Sequence, residues 1–209
     1  MRPKVYHLVG PPGIGKRTIG VHLAELTGAV LLDNHLFRDA VYKPYGADGL
    51  RPIPPEVQAL GTQVWALGLQ AARLAPRDVS HIFTAYLPAL DSAVLSWQRV
   101  RDLATDRDAD YVPVWLSCEA GELTRRVTMP ERAERAKLRD PERLQRLLAE
   151  NGSLPPPPGA LHLDTTTLSP AVAARAIAGH HDKVLPLPDA SGTSQVRNGS
   201  SGRRHTRSD

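Results

Sequence analysis

The sequence predicts a three-layer α/β/α sandwich built on a five-stranded parallel sheet. Two observations lead to this fold class. Short apolar segments alternate along the chain with segments of helical periodicity, which is the pattern of a parallel sheet covered on both faces. The length of 209 residues suits one domain with a substantial core. We predict strands at Val5–Val9, Val30–Asp33, Val79–Leu87, Tyr111–Ser117 and Ala160–Asp164.

Helices are expected between these strands. Lys16–Thr27 carries apolar residues at helical spacing and is followed by Gly28, a residue that commonly ends helices. Glu56–Leu74 repeats this spacing over a longer range. Asp140 and Ser169 each stand before a proline, which predicts an N-cap followed by the first helical position.

Two proline-containing segments are predicted to connect these elements. Lys43–Pro55 is dense in proline and glycine, and we expect an irregular loop between helices. Pro155–Pro158 is expected to be a stiff connector into the last strand, because a run of prolines cannot join the hydrogen-bond ladder of a sheet.

The charge distribution separates a mildly basic domain from a basic tail. The chain has a formal net charge of +4, and segment 186–209 contributes four arginines and two aspartates, which is half of this charge. We expect residues 1–185 to form one domain and 186–209, rich in Ser, Gly and Arg, to be a disordered tail. Without a concentrated basic face, nucleic acid is not the expected partner, although a contact of the tail with RNA or anionic lipid stays open.

Cysteine content and hydropathy indicate the compartment. Cys118 is the only cysteine, which excludes an intramolecular disulfide and argues against a metal cluster. The glycine-rich run described next begins at Gly10, so no cleavable signal is expected before it. No apolar run approaches the ~20 residues that a membrane helix needs. We therefore expect a soluble cytoplasmic protein without a membrane partner.

The run from Gly10 to Thr18 carries the strongest functional signal. It matches G-x-x-x-x-G-K as far as Lys16, between a predicted strand and a predicted helix. Glycines let backbone N–H groups converge on phosphate oxygens, the helix N-terminus adds a positive dipole, and Lys16 supplies a mobile charge. The strand before it and the helix after it argue against a turn without chemistry. We predict that nucleotide binds to Gly10, Pro11, Pro12, Gly13, Ile14, Gly15, Lys16, Arg17 and Thr18.

Arg17 departs from the usual form of this loop. Ser or Thr ordinarily follows the lysine and ligates Mg²⁺, whereas here the hydroxyl comes one place later, at Thr18. The predicted strand Val79–Leu87 also lacks a carboxylate at its end. These two features favour, as an alternative to catalysis, a regulatory protein that binds nucleotide and hydrolyses it slowly or not at all.

Polar residues at the predicted strand ends are candidates for the reacting site, because ligands of open parallel sheets bind beyond those ends. Asp33 is expected to accept a proton from an attacking hydroxyl or to hold a water of the Mg²⁺ shell. A turn or N-cap role for Asp33 is the alternative. His35 and Tyr86 are candidates for acceptor binding, and simple packing remains open for His35.

An arginine-rich segment, about 126–140, is predicted to form a mobile lid. Phosphoryl transfer needs neutralisation of charge on the transferring group, and arginines that close over the site can provide it while excluding water. We expect Arg126, Arg132 and Arg135 to act together, with Lys16 and Asp33 as the other catalytic residues. Because Glu131 and Glu134 interleave, a salt-bridged solvent face is the alternative.

These motifs resemble those of the small P-loop kinases, the group of adenylate kinase, shikimate kinase, gluconate kinase and chloramphenicol phosphotransferase. Gly10–Thr18 is similar to the adenylate-kinase form of the loop, in which a residue without a metal-binding hydroxyl follows the lysine. This resemblance implies Mg²⁺ held largely through water near Thr18 and Asp33, and Thr18 on the α-phosphate. Arg126–Arg139 corresponds to the lid, and Asp164–Pro170 to the loop near the adenine base.

The segment from Lys16 to Asp33 resembles shikimate kinase in register. There an aspartate at this strand end lies near metal and acceptor, and a second aspartate two residues later binds shikimate. Here His35 takes the second place, which argues against shikimate itself.

The resemblance implies a P-loop fold, ATP and Mg²⁺ as cofactors, and transfer of the γ-phosphoryl group to a hydroxyl or phosphate of a small acceptor that the sequence does not identify. Phosphorylation of a nucleic-acid end is a third and weaker hypothesis. The protein is expected to be a monomer or homodimer.

Overall fold

The computed structural model describes residues 2–130, Arg132 and residues 137–180. The predicted tail 186–209 and Arg135 lie outside the described residues, as do Glu131 and Glu134 of the arginine-rich segment.

The sheet has five parallel strands in the order β2-β3-β1-β4-β5. The predicted fold class is confirmed, and each predicted strand is present with ends shifted by at most two residues. Asp33 lies just beyond its strand rather than inside it. The strands are β1 Lys4–Val9, β2 Val30–Leu32, β3 His81–Ala85, β4 Asp110–Ser117 and β5 Leu161–Asp164.

Seven helices accompany the strands in the described part of the chain. The predicted helix starts at Pro141 and Pro170 are confirmed, and Asp140 accepts a hydrogen bond from the Arg143 amide as an N-cap does. The helices are α1 Lys16–Thr27, α2 Asn34–Tyr45, α3 Pro55–Leu74, α4 Asp91–Asp106, α5 Ala120–Val127, α6 Pro141–Asn151 and α7 Pro170–His180.

The prediction of an irregular loop over Lys43–Pro55 is wrong at both ends. α2 continues through Pro44 to Tyr45, and Gly46 ends it in the left-handed conformation at φ 78°. Pro55 opens α3, where its missing N–H costs no intrahelical bond. Pro55 thus starts α3, and Pro44 lies in the last turn of α2. A prediction based on proline content therefore misplaced the boundaries of both helices.

Strand alternation divides the core between the two faces of the sheet. Tyr6 and Leu8 of β1 face one layer, which contains apolar residues of α1, α5, α6 and α7. Val5 packs on the opposite face with residues of α3 and α4. β1 is buried almost completely because it has a strand on each side and helices above and below. In the described residues no helix is long and apolar enough to cross a lipid bilayer.

Arg107 anchors the connection between α3 and β3. This residue directly follows α4 and is 1% exposed. The two terminal guanidinium nitrogens donate four hydrogen bonds of 2.8 Å to backbone carbonyls, those of Ala72, Ala75, Pro76 and Val79. The guanidinium therefore ties together the backbone carbonyls of the turn that follows α3 and supplements the backbone hydrogen bonds there.

We predict that Arg107→Met lowers the free energy of unfolding by about 3 kcal/mol or more, because four charge-assisted hydrogen bonds of a buried side chain to the backbone are lost. Urea denaturation measures the change. Arg73→Met is the matched control, since Arg73 makes an exposed ion pair with Asp106, and its loss is expected to cost less than about 1 kcal/mol. Equal costs for the two variants would contradict this role.

Candidate active site

The loop between β1 and α1 has the geometry of a phosphate cradle. Gly13 and Gly15 adopt φ values of 92° and 94°, which disfavour residues with a Cβ. A Cβ on Gly10 would lie 2.8 Å from the carbonyl oxygen of Leu116, so β4 also limits this position to glycine. The loop leads into the N-terminus of α1, where unpaired backbone N–H groups favour the binding of anions.

Lys16 is held inside its own loop. Its Nζ donates hydrogen bonds to the carbonyl oxygens of Gly10 at 2.6 Å and Pro11 at 2.9 Å. Burial lowers the pKa of Lys16 to about 7; Asp33 opposes the shift, whereas Lys137 and Arg132 add to it. The lysine is therefore a buried cation among other cations, a setting that a bound polyphosphate would relieve.

Asp33 links the ends of two neighbouring strands. It follows β2 at the N-cap position of α2, but its side chain makes no capping hydrogen bond. Instead Oδ1 accepts a 2.7 Å hydrogen bond from the Thr84 hydroxyl at the end of β3, and that hydroxyl accepts one from the Asn34 amide. The carboxylate is thus oriented by tertiary contacts and is not used as a helix cap.

The second oxygen of Asp33 faces Arg17. Asp33 is 6% exposed, and its Oδ2 lies 3.6 Å from Arg17 Nε. This distance allows an ion pair, but neither atom has a hydrogen-bond partner. The Asp33 Oδ2 and Arg17 Nε atoms, both shielded from solvent in the nucleotide cavity, therefore retain unused hydrogen-bonding capacity.

Arg126 lies on α5 and joins the phosphate loop to the end of β5. The predicted lid begins at this residue. The structure places Arg126 and Val127 in the last turn of α5, which is helical and packs on the domain. The guanidinium donates to the carbonyl oxygens of Ile14 at 3.3 Å and Thr165 at 2.8 Å, and it pairs with Glu122 at 2.7 Å. These contacts position the phosphate loop; a charge-neutralising role for Arg126 stays a prediction.

Further cations surround the same space. Arg132 and Lys137 line the cavity, and the Arg132 guanidinium donates to the carbonyl oxygen of Leu138 at 2.8 Å. Arg125 is paired with Glu122. Beyond Lys137 the chain docks on the loop after α2, where the Arg139 amide donates to the Gly49 carbonyl oxygen at 3.1 Å. The end of the predicted lid is therefore attached to the domain.

His35 and Tyr86, the two residues predicted to bind the acceptor molecule, make different contacts. His35 Nδ1 lies 3.1 Å from Asp39 Oδ1, and burial lowers the pKa of His35, so the ring is largely neutral near pH 7. Tyr86 donates its hydroxyl to the Gly152 carbonyl oxygen at 2.6 Å, which leaves its ring to line the cavity.

One cavity of about 620 Å³ brings the predicted residues together. It contains the loop from Pro12 to Thr18 with Asp33, His35 and Tyr86, and Arg126 and Arg132 complete the wall. Gly10 and Pro11 do not line this cavity, and their carbonyl oxygens accept hydrogen bonds from Lys16 Nζ. Sequence reasoning gave no role to Asn34 and Glu122 and did not see that Thr84 holds Asp33; their positions at strand and helix ends were the only available signal.

In the described residues no cluster of three or more His, Cys, Asp or Glu side chains could hold a metal ion. Thr18, on the first turn of α1, and Asp33 are nevertheless oxygen donors of the class that Mg²⁺ prefers. The unpartnered Asp33 Oδ2 fits a magnesium ion held through water, with phosphate oxygens as its other ligands.

No protein-family model and no curated protein matches this sequence. Solved structures do match. A provisionally assigned kinase from Chloroflexus aurantiacus J-10-fl has 20% identity and a TM-score of 0.62, over 87% of this chain and 98% of that one. APS kinase CysC of Mycobacterium tuberculosis, solved with AMPPNP and APS, has 15% identity and a TM-score of 0.53, with 87% and 98% coverage.

The chain has the fold of the small P-loop kinases. Shikimate kinase from Acinetobacter baumannii, solved with shikimate, also shares it at 20% identity and a TM-score of 0.50, over 88% of this chain and 97% of that one. The small P-loop kinase resemblance inferred from the loop and from the Asp33 register is therefore confirmed at the level of fold.

We predict that nucleotide binding takes up a proton. Phosphate oxygens beside Lys16 raise its pKa above the value of about 7 that burial sets, so affinity for ATP falls as the pH rises through about 7. Isothermal titration calorimetry in buffers of different ionisation enthalpy measures the uptake.

Lys16→Arg is the matched control, because arginine stays charged over this range and the variant should lack the proton uptake that Lys16 contributes. Proton uptake of equal size in this variant would contradict the assignment to Lys16.

Proposed function

We propose that this protein is an ATP-dependent small-molecule kinase. The observation that carries the proposal is the convergence of the phosphate loop, the buried Asp33 carboxylate and several cations in one cavity at the carboxyl ends of β1, β2 and β3. A nucleotide site alone would need the loop; an oriented carboxylate beside the transferring phosphate is what a transferase needs in addition.

Lys16 and the lid cations supply the electrostatic part of the reaction. Lys16 exchanges the carbonyls of Gly10 and Pro11 for β- and γ-phosphate oxygens when ATP binds. Arg132 and Lys137 approach the same phosphates, and Arg135 is proposed to join them. Preorganised positive charge in a water-poor cavity stabilises the negative charge that spreads over the transferring group.

Asp33 is proposed to act on the acceptor. Thr84 holds Oδ1, so the unpartnered Oδ2 is the atom able to accept the proton of an attacking hydroxyl or to hold a water. His35 and Tyr86 are proposed to contact the acceptor. Mg²⁺, held near Thr18 and Asp33 mainly through water, would offset the charge of the phosphates when bound.

The similar solved structures support a kinase function but do not identify the acceptor. A shikimate kinase solved with shikimate, an APS kinase solved with APS and a sugar kinase all share this fold. One fold therefore serves several acceptors, and the choice depends on the side chains of each acceptor pocket.

A regulatory nucleotide-binding protein is the second candidate. Two observations favour it: β3 ends in Thr84-Ala85 without a carboxylate, and Arg17 occupies the place of the usual magnesium-binding hydroxyl while facing Asp33. A protein of this kind would bind ATP with Lys16 and show no acceptor-dependent ADP release.

Lys16→Met should reduce phosphoryl transfer roughly a hundredfold or more, because one preorganised charge on the transition state is lost. ADP release is measured across a panel of nucleotides, sugars, shikimate-like acids and antibiotics. Arg175→Gln, an exposed arginine of α7 away from the cavity, controls for the loss of one positive charge. Acceptor-dependent transfer that survives in Lys16→Met would refute the assignment.

Arg17→Ser should lower the magnesium concentration that gives half-maximal ATP binding or turnover by several-fold. The variant removes a cation 3.6 Å from Asp33 and restores a hydroxyl after the lysine, so the ion meets less repulsion and one more ligand. A magnesium titration at fixed ATP measures it. An unchanged or higher requirement would mean that Arg17 does not compete with the metal.

A further inference from the structure

A second cavity of about 510 Å³ adjoins the nucleotide cavity. Helices α2, α3 and α4 and the strands β1 and β3 enclose it. The two cavities share Asn34 and the end of β3 at Thr84, Ala85 and Tyr86, next to the Asp33 carboxylate. A molecule in the second cavity could therefore reach a phosphoryl group held in the first.

The charged residues that line the second cavity are all positive. Among the described residues that line it, Arg38 and Arg99 are the charged side chains, and none is Asp or Glu. His7 also lines the cavity, but burial lowers the pKa of His7 to about 3, so the ring is neutral at pH 7. The nucleotide cavity also has more cations than carboxylates, but its lining includes Asp33 and Glu122.

Neither arginine has a carboxylate partner in the described part of the chain. Arg38 is half-buried and donates to two neutral oxygens, Asn34 Oδ1 at 3.0 Å and the Tyr42 hydroxyl at 2.8 Å. Arg99 lies on α4 with an exposed side chain, and within the described part of the chain it makes no hydrogen bond or ion pair. Elsewhere, Arg73 and Arg125 are paired with Asp106 and Glu122. Two unneutralised guanidinium groups on one cavity wall favour an anionic ligand.

About half of the remaining lining residues are apolar, and the others carry hydroxyl, amide or imidazole groups, such as Gln58, Thr62 and Ser96. Trp65 and Phe83 contribute aromatic surface, and Leu87, Leu95 and Val100 aliphatic surface. A cavity of this volume and lining suits a small organic molecule that carries a ring or a short apolar chain. It is poorly suited to a polycation, which the arginines repel, and it gives no carboxylate to hold an amino group.

We propose that the second cavity binds the phosphoryl acceptor and that this acceptor is an organic anion. Its carboxylate or phosphate-ester group lies between Arg38 and Arg99, its apolar body lies along Trp65, and its reacting group points to the junction at Thr84. The assignment as acceptor rests on the proposed kinase function, whereas the preference for an anion rests on the charges of the cavity alone.

Equilibrium binding tests the charge preference independently of catalysis. The full chain is first saturated with Mg²⁺ and a non-hydrolysable ATP analogue, which fills the nucleotide cavity. Calorimetry then compares charged and neutral partners: shikimate against methyl shikimate for a carboxylate, and glucose 6-phosphate against glucose for a phosphate ester. We expect the anion of at least one pair to bind roughly tenfold or more tightly, as one charge-assisted contact provides.

Arg99→Gln is the decisive variant, because Arg99 holds no described residue in place and the fold should tolerate its loss. It should weaken the anion roughly tenfold and leave the neutral partner unchanged. Arg38→Gln should act in the same direction, and Arg175→Gln is the matched control with no effect. Equal binding within both pairs, no binding of either anion at millimolar concentration, or no loss in the Arg38→Gln/Arg99→Gln double variant would overturn the proposal.

Failure of the two proposals can be told apart. Anion binding that depends on Arg99, without acceptor-dependent ADP release, would support the anion site and contradict the kinase. Phosphorylation of a neutral acceptor that is insensitive to both arginine variants would support the kinase and overturn the anion site.

Discussion

The Asp33 carboxylate is the group on which the site depends. It lies where β2 ends, accepts a hydrogen bond from Thr84 at the end of β3, and faces Arg17 on the first turn of α1. Parallel pairing of β2 with β3 and of β3 with β1 brings these three segments to one edge. A carboxylate buried to this degree needs such partners, because burial without them is costly.

Positively charged side chains are concentrated around the phosphate loop. Arg126 is committed to backbone carbonyls and Glu122, but Lys16, Arg132 and Lys137 lie close enough to influence one another. Burial lowers the pKa of Lys16, and the nearby Lys137 and Arg132 add to the shift. An anionic nucleotide would oppose both effects, and the contacts of the surrounding scaffold keep the cations in position to meet it.

Much of the fold could be predicted because the signals were local. Alternation of apolar and helical segments identified five strands, and Asp140 with Pro141 identified a helix start. Prediction failed at Lys43–Pro55, where proline occupies helical positions that the neighbouring structure allows. The helix α5, which packs Leu123 and Val127 into the core beside Arg126, was not predicted, because the segment is rich in charge.

The sequence by itself determined the phosphate loop, its departure at Arg17 and the candidacy of Asp33, because a cradle of consecutive residues and a strand-end carboxylate are local features. Only the tertiary structure decided that Thr84 orients Asp33, that Arg126 fastens the loop to β5, and that Arg38 and Arg99 share a cavity without a carboxylate. These residues are far apart in the chain, and the sheet order and helix packing that bring them together leave no periodic pattern among them.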